Sequence, residues 1–247
     1  QAKQVLADQL VIHQDFEQAI ALLEEILASN GDARFETLAA NSQSFTSAQR
    51  NQLIEQLDRL LGLYPNNPQI LLSQAILLQL NGRSDEALRH ANQLYKTQPG
   101  PRSLSLKSKL NHQLGHTKKA LSDLSKGLEL DPESRPLRVL YAQILIDAKQ
   151  LKEAQEQFTL LLQQSPLDHQ LKLTVALLNL ENGNNQVGDK LLKQLTKIPG
   201  IANEAYYYLG QSAHKQQQID QAISYYQQVS DGEKMLPAYH QLGTLLL

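Results

Sequence analysis

Two histidines four positions apart, His112 and His116, have the spacing that comes nearest to a catalytic motif in this 247-residue chain. On a helix this spacing places both imidazoles on one face, where they can hold zinc if a glutamate directly after the first histidine acts as general base. Gln113 stands in the place of that glutamate, and Gly115 is expected to end the helix before the second histidine. The pattern therefore favours a solvent-exposed turn over a metal site, and we predict no metal or other cofactor.

Other catalytic patterns are missing from the sequence. The chain has no Cys, which excludes a thiolate nucleophile, a disulfide framework and a cysteine zinc site. It contains no glycine-rich phosphate loop and no Gly-x-Ser-x-Gly motif. The carboxylates of Asp85, Glu86 and Asp220 fall at predicted helix starts, where they compensate the helix dipole. We predict that this chain is not an enzyme.

Charge and composition narrow the remaining classes. The 23 basic and 25 acidic residues give a net charge of −2, which excludes a dedicated nucleic-acid binder. No apolar run approaches the roughly 18 residues of a membrane span. Leu occurs 48 times and Gln 32 times, whereas strand-forming residues are scarce. Because Leu and Gln favour helices, the composition argues against an all-β fold and agrees with the all-α fold that the repeat predicts.

A repeat of about 34 residues organises the chain. Five small residues follow one another at intervals of 33, 34, 34 and 34 positions: Ala87, Ala120, Ala154, Gly188 and Ala222. Five positions before each stands a predicted turn residue: Gly82, Gly115, Lys149, Gly183 and Gln217. Twelve positions before each stands a second small residue: Ala75, Ser108, Ala142, Ala176 and Gly210. Each unit therefore predicts two short helices that cross closely at their small residues and end near a proline.

These residues resemble the tetratricopeptide repeat (TPR), whose unit has small residues at its eighth and twentieth positions. The best match is the run YYYLG at 206–210, followed by Ala222, Tyr226 and Val229. The resemblance implies an α-solenoid, a right-handed superhelix of about seven units plus a truncated eighth, in one domain that is a fragment of a longer protein. The expected units are 1–33, 34–67, 68–100, 101–134, 135–168, 169–202, 203–235 and a partial 236–247. In the second unit, the polar run 41–44 predicts a short or frayed first helix.

The resemblance also implies a concave groove lined by the first helix of each unit. Positions 2, 5, 9 and 12 of the units supply the candidate partner-binding residues: Leu72, Ile76, Gln79, Arg102, Lys109, Val139, Gln143, Leu173, Leu177, Tyr207, Gln211 and His214. Leu72, Ile76, Leu173, Leu177 and Tyr207 are expected to expose apolar surface, which usually marks a partner site. The alternative is that neighbouring helices cover some of them.

A basic block lies between residues 87 and 122. It contains no Asp or Glu but seven basic residues: Arg89, Lys96, Arg102, Lys107, Lys109, Lys118 and Lys119. Arg102 and Lys109 are expected in the groove, with Lys107 as an alternative to Lys109. The block predicts either a site for an acidic segment or C-terminal carboxylate, or a solvated convex face.

Three stretches, within 137–168, 175–195 and 204–246, resemble large TPR lipoproteins of proteobacterial outer membranes. One kind is an adaptor that delivers substrates to a carboxyl-terminal processing protease. This resemblance implies a non-enzymatic scaffold on the periplasmic face of the outer membrane, with a protein or peptide partner such as a protease and its substrates; the other compartment considered is the cytoplasm. The alternative function is a regulatory or substrate-recruiting arm of an enzyme. A third possibility is self-assembly into homo-oligomers through the end at Leu245–Leu247.

Overall fold

The computed structural model describes residues 1–29 and 31–246, and every regular element in this part of the chain is helical. The first eight α-helices are α1 (Ala2–Ile12), α2 (Phe16–Ala28), α3 (Glu36–Asn41), α4 (Ser47–Leu63), α5 (Pro68–Leu80), α6 (Ser84–Thr97), α7 (Pro101–Gln113) and α8 (Thr117–Leu130). The other seven are α9 (Arg135–Asp147), α10 (Leu151–Gln164), α11 (His169–Glu181), α12 (Asn185–Leu195), α13 (Ala202–Lys215), α14 (Ile219–Gln227) and α15 (Met235–Leu246). The all-α prediction is confirmed.

The helices form two compact units, Gln1–Leu137 and Arg138–Leu247. In the first unit α1 packs on α2, α5 on α6 and α7 on α8; in the second, α11 packs on α12 and α13 on α14. A single solenoid over the whole chain stays a prediction. Within the described residues, no helix combines the length and the apolar character needed to cross a bilayer.

The turn inside each helix pair follows the predicted phase. Gly82, Gly115, Lys149, Gly183 and Gln217 all have positive φ angles, between 61° and 82°. After each of them, the next residue donates its N–H to a carbonyl five positions back, as Gln150 does to Leu145 at 2.9 Å. This pattern satisfies carbonyls that the helix end would otherwise leave unpaired. Gln14 (φ 64°) makes the same kind of turn between α1 and α2.

The small residues lie at the helix crossings, as predicted. Ala75, Ala87, Ala142 and Ala154 have no exposed surface. At Gly188 on α12, an added Cβ would lie 2.6 Å from Cδ2 of Leu180 on α11. A larger side chain at such a crossing would push the paired helices apart.

The segment 34–67 departs from the other helix pairs. Its first helix, α3, has six residues and runs into a 3₁₀ turn at Ser42–Ser44. Side chains there bond to nearby carbonyls, including Ser42 Oγ to Ala39 O at 2.6 Å, and so compete with helix hydrogen bonds. Its second helix, α4, starts at a capping box of Thr46 and Gln49 and extends over 17 residues. The predicted short helix is confirmed.

Candidate functional site

In the first unit, the predicted groove residues divide into covered and exposed groups. Arg102 and Lys109 on α7 are exposed, and Ile76 and Gln79 on α5 are half-buried. Gln79 Nε2 donates to Gln113 Oε1 at 2.6 Å and so connects α5 with α7. Leu72 is only 6% exposed because it packs against Leu94 of α6, so the expectation of an exposed apolar side chain is wrong there.

Leu72 nevertheless lines a recess of about 250 Å³ where α5, the end of α6 and the start of α7 meet. We call it the α5–α7 recess. Its lining includes Pro68, Leu72, Leu94, Pro99, Pro101 and Arg102. The recess is therefore apolar inside with a guanidinium at its edge.

The basic block is partly neutralised by acidic residues outside it. Arg102 Nη1 lies 3.2 Å from Glu36 Oε1, and Arg89 Nη2 lies 3.6 Å from Glu86 Oε2. Lys107 Nζ lies 2.8 Å from Asp123 Oδ2 and 4.8 Å from the centre of the Tyr95 ring. Because Lys107 is thus partly covered and paired, Lys109 is the lysine of α7 that faces solvent.

In the second unit, two of the predicted groove residues lie on α9 and five on α11 and α13. Val139 is half-buried and packs near Ala142, whereas Gln143 is exposed. Leu173 is 3% exposed, because it packs in a cluster with Leu192 and Leu195 of α12. The expectation that Leu173 exposes apolar surface is therefore wrong, and neighbouring helices cover it.

Leu177, Tyr207, Gln211 and His214 are all half-buried. Leu177 and Gln211 line a second recess, of about 210 Å³, between α11 and α13. We call it the α11–α13 recess. Its lining includes Leu177, Leu180, Glu181, Tyr208, Gln211 and Lys215. At its rim, Lys215 Nζ lies 3.3 Å from Glu181 Oε1, so the apolar interior has one charge of each sign beside it.

Tyrosines of α13 hold the surroundings of this recess in place. Tyr207 and Tyr208 meet edge to face, with ring centres 5.3 Å apart. Gln211 Nε2 donates to Tyr207 Oη at 2.9 Å. Lys234 Nζ lies 5.5 Å from the ring centre of Tyr207 and 5.4 Å from that of Tyr208, which is cation–π distance.

The charge on Lys234 is stabilised by this environment. Burial lowers the pKa of Lys234, but a hydrogen bond with Tyr208 and the negative charge of nearby groups, including Glu204, outweigh it, and the pKa is raised. Sequence reasoning missed Tyr208, Lys215 and Lys234 as site residues. Three consecutive tyrosines on one helix were the available signal, since at least one must face outward.

The histidine pair does not share a helix. His112 belongs to α7, whereas His116 precedes α8 and is exposed, which agrees with the turn prediction. His112 Nδ1 lies 3.0 Å from Thr117 Oγ1. Within residues 1–29 and 31–246, no group of three or more His, Cys, Asp or Glu side chains is placed to hold a metal ion.

Comparison with known families agrees with the repeat. A family model described as "Tetratricopeptide repeat" matches residues 112–178, and another with the same description matches residues 204–231. Both segments are similar to tetratricopeptide repeats. The first contains Leu177 of the α11–α13 recess, and the second contains Tyr208 and Gln211. Likenesses to solved structures of low sequence identity show the same helical-repeat fold.

Three proteins illustrate these likenesses. A TPR repeat-containing protein of Pseudomonas aeruginosa, PA4667, is 32% identical over 141 residues, which are 57% of this chain and 24% of that protein. This chain thus spans about a quarter of that relative. The crystal structure of a tetratricopeptide repeat protein from Parabacteroides merdae has a TM-score of 0.56 at 19% identity, covering 100% of this chain and 98% of that one. YrrB, described as a TPR protein with an unusual peptide-binding site, has a TM-score of 0.56 at 14% identity, covering 75% of this chain and 96% of its own.

Proposed function

We propose that this chain is a non-catalytic protein-interaction scaffold that binds a peptide segment of a partner protein in the α11–α13 recess. The observation that carries the proposal is the row of half-buried side chains Leu177, Leu180 and Tyr208 around an open recess. Proteins of the TPR family are protein-interaction scaffolds, and neither matching family is catalytic.

The chemistry of the recess suits a peptide. Leu177 and Tyr208 offer apolar contact, and Gln211 offers an amide that can both donate and accept a hydrogen bond. Glu181 and Lys215 at the rim can select the charge of the ligand. An apolar interior with few polar groups at defined places is typical of specific ligand sites. The description of YrrB as peptide-binding supports the same ligand class for this fold.

Selection of a phage-displayed random peptide library on the chain tests the proposal. The variant L177S/Q211A should lose binding of the selected peptides by at least tenfold, because it removes an apolar and a polar contact together. The matched control is L160S, which removes an exposed leucine of α10 outside the recess. Selected peptides that bind the double variant as tightly as the unaltered chain would contradict the α11–α13 recess as the site.

We further propose that the scaffold acts as an adaptor for a periplasmic protease and is anchored by a lipid at the outer membrane. The three stretches that resemble outer-membrane TPR lipoproteins support this role. The competing proposal is a regulatory or substrate-recruiting arm of an enzyme. Labelling of the full-length protein with radioactive palmitate, followed by membrane fractionation, discriminates between the two proposals. A labelled protein recovered in the outer membrane supports the adaptor. An unlabelled full-length protein with a catalytic domain supports the enzyme arm.

A further inference from the structure

The α5–α7 recess lies in the first unit and has a chemistry of its own. Leu72 and Leu94 form its apolar interior, and Pro68, Pro99 and Pro101 form much of its wall. Its volume of about 250 Å³ is below the roughly 300–1,000 Å³ of typical small-molecule pockets. It is larger than the roughly 150 Å³ apolar cavity that can bind benzene. The recess is thus the right size for one bulky apolar side chain.

Hydrogen bonds hold the wall of the recess in shape without a ligand. Ser103 Oγ donates to Gln98 O at 2.7 Å and lies 3.1 Å from Gly100 O, which closes the loop between α6 and α7. Asn67 Oδ1 accepts from the N–H groups of Gln69 and Ile70 and caps α5 beside Pro68. A wall that is already ordered loses little conformational entropy when a ligand binds.

The edge of the recess carries the guanidinium of Arg102. Glu36 contacts Nη1 of Arg102, and this single ion pair leaves the other N–H groups of a five-donor guanidinium available to a second carboxylate. Four lysines of the basic block, namely Lys96, Lys109, Lys118 and Lys119, form no ion pair in the described part of the chain. Of these four, Lys109 lies on α7 with Arg102, and together the two cations complement a segment with two acidic side chains.

Arg102 and Lys109 set the spacing of those acidic side chains. Seven residues apart on α7, they lie on the same helix face about 10 Å apart along the axis. Carboxylates three residues apart in a polyproline II segment, which has three residues per turn and rises about 3.1 Å per residue, lie on one side of the peptide about 9 Å apart, which is close to that distance.

We infer that the α5–α7 recess binds an internal peptide segment in the polyproline II conformation. In this segment a bulky apolar side chain enters between Leu72 and Leu94, and two following carboxylates, three residues apart, pair with Arg102 and Lys109. The inference rests on the proposed function, because it requires that the chain bind peptides. It differs from that function in assigning an acidic peptide to a separate recess in the other unit. The occupant is an acidic segment within a partner protein.

Fluorescence polarisation with a labelled, C-terminally amidated peptide, GSFSESSEGS, tests the inference on the whole chain at low salt. The control peptides are GSFSQSSQGS, which lacks both carboxylates, and GSSSESSEGS, which lacks the apolar side chain. Each control should bind at least tenfold more weakly than the probe. Binding of the probe should weaken as salt is added, because the contacts to Arg102 and Lys109 are exposed.

Two protein variants locate the binding. Arg102→Glu should weaken binding of the probe at least tenfold. Arg59→Glu, the same change on an exposed residue of α4, should leave that binding unchanged. Gly100→Leu adds a side chain in the recess, where a Cβ meets no atom within 4 Å and the backbone is extended. This change should also weaken binding of the probe at least tenfold. Gly62→Leu, at a position on α4 where an added Cβ likewise meets no atom within 4 Å and which lies outside the recess, should have no effect on that binding.

Several results would overturn the inference. One is binding of the probe to Arg102→Glu or to Gly100→Leu as tight as its binding to the unaltered chain. Another is binding of GSFSQSSQGS as tight as that of the probe. A third is tighter binding of GSSSF with a free C-terminal carboxylate than of the probe. Circular dichroism melting curves of all variants show whether a loss of binding reflects unfolding. If the probe fails to bind while library peptides bind in a Leu177-dependent way, the inference is wrong and the proposed function stands. If the probe binds as expected and no library peptide depends on Leu177, the inference stands and the α11–α13 recess is wrong.

Discussion

The ring of Tyr226 on α14 packs directly against the backbone of Gly210 on α13. A Cβ built on Gly210 would lie 2.6 Å from both Cδ1 and Cε1 of that ring and 2.9 Å from Cζ. Real Cβ atoms do not approach ring carbons so closely, so the glycine is required by the tyrosine. Gly210 and Tyr226 together therefore set how near α13 and α14 can lie.

Gly210→Ala should lower the free energy of unfolding by about 1–3 kcal/mol, because the new methyl group overpacks the crossing. Urea denaturation followed by circular dichroism measures the change. Gly243→Ala is the matched control, since the equivalent Cβ on α15 meets no atom within 4 Å. There the change should raise stability by about 0.5–1 kcal/mol, as alanine does in a helix interior. Similar effects at both positions would contradict the packing argument.

Removing the hydroxyl of Tyr226 should leave stability unchanged or slightly higher. The Tyr226 side chain has no exposed surface, and its Oη makes no hydrogen bond in the described part of the chain. A buried polar group without a partner opposes folding, so Tyr226→Phe relieves that penalty. A marked loss of stability in urea denaturation would show that the hydroxyl has a partner, such as a bound water.

The same tyrosine makes stability depend on alkaline pH. Burial raises the pKa of Tyr226 from its ordinary value of 10 to about 12. A raised pKa means that the folded state favours the neutral phenol, so this stabilisation is complete below pH 10 and is lost as the pH rises towards 12. The unfolding midpoint, measured at several pH values between 8 and 11.5, should fall less steeply with rising pH for Tyr226→Phe than for the unaltered chain. Tyr239→Phe, at an exposed tyrosine, should follow the unaltered chain.

Glycine substitutions in two of the turns should stabilise the folded chain. Lys149 and Gln217 have φ angles of 61°, in the region that costs non-glycine residues about 1 kcal/mol or more. Lys149→Gly and Gln217→Gly should therefore each raise the melting temperature. Lys152→Gly, within α10, should lower the melting temperature, because glycine in a helix lowers the free energy of unfolding by up to about 1 kcal/mol. A loss of stability at Lys149→Gly equal to that at Lys152→Gly would contradict the argument.

The cation over the tyrosine pair should contribute measurably to stability. Lys234→Met removes the charge from the faces of Tyr207 and Tyr208 and should cost about 0.5–1 kcal/mol. Lys234→Arg keeps the charge and should retain most of that stability. Chemical denaturation of both variants at neutral pH measures the difference. A loss at Lys234→Arg as large as that at Lys234→Met would contradict a contribution from the charge.

The sequence by itself determined the repeating part of this protein. Gly82 and Lys149 could be placed in turns, and Ala87 and Gly188 at helix crossings, because each of these roles depends on neighbours within one 34-residue unit. The short helix α3 was also predictable, since the polar side chains that end it bond to carbonyls three or four residues away.

Only the tertiary structure decided which side chains remain open to a partner. Leu173 and Leu177 are four residues apart on α11, yet Leu192 and Leu195 of the next helix cover Leu173 while Leu177 lines a recess. Arg102 pairs with Glu36, 66 positions away, and Lys234 reaches Tyr207 and Tyr208 from beyond α14. Such contacts depend on how one helix pair stacks on another, and periodicity within a repeat carries no information about that stacking. The surface chemistry of the two recesses is therefore a property of the packed helices.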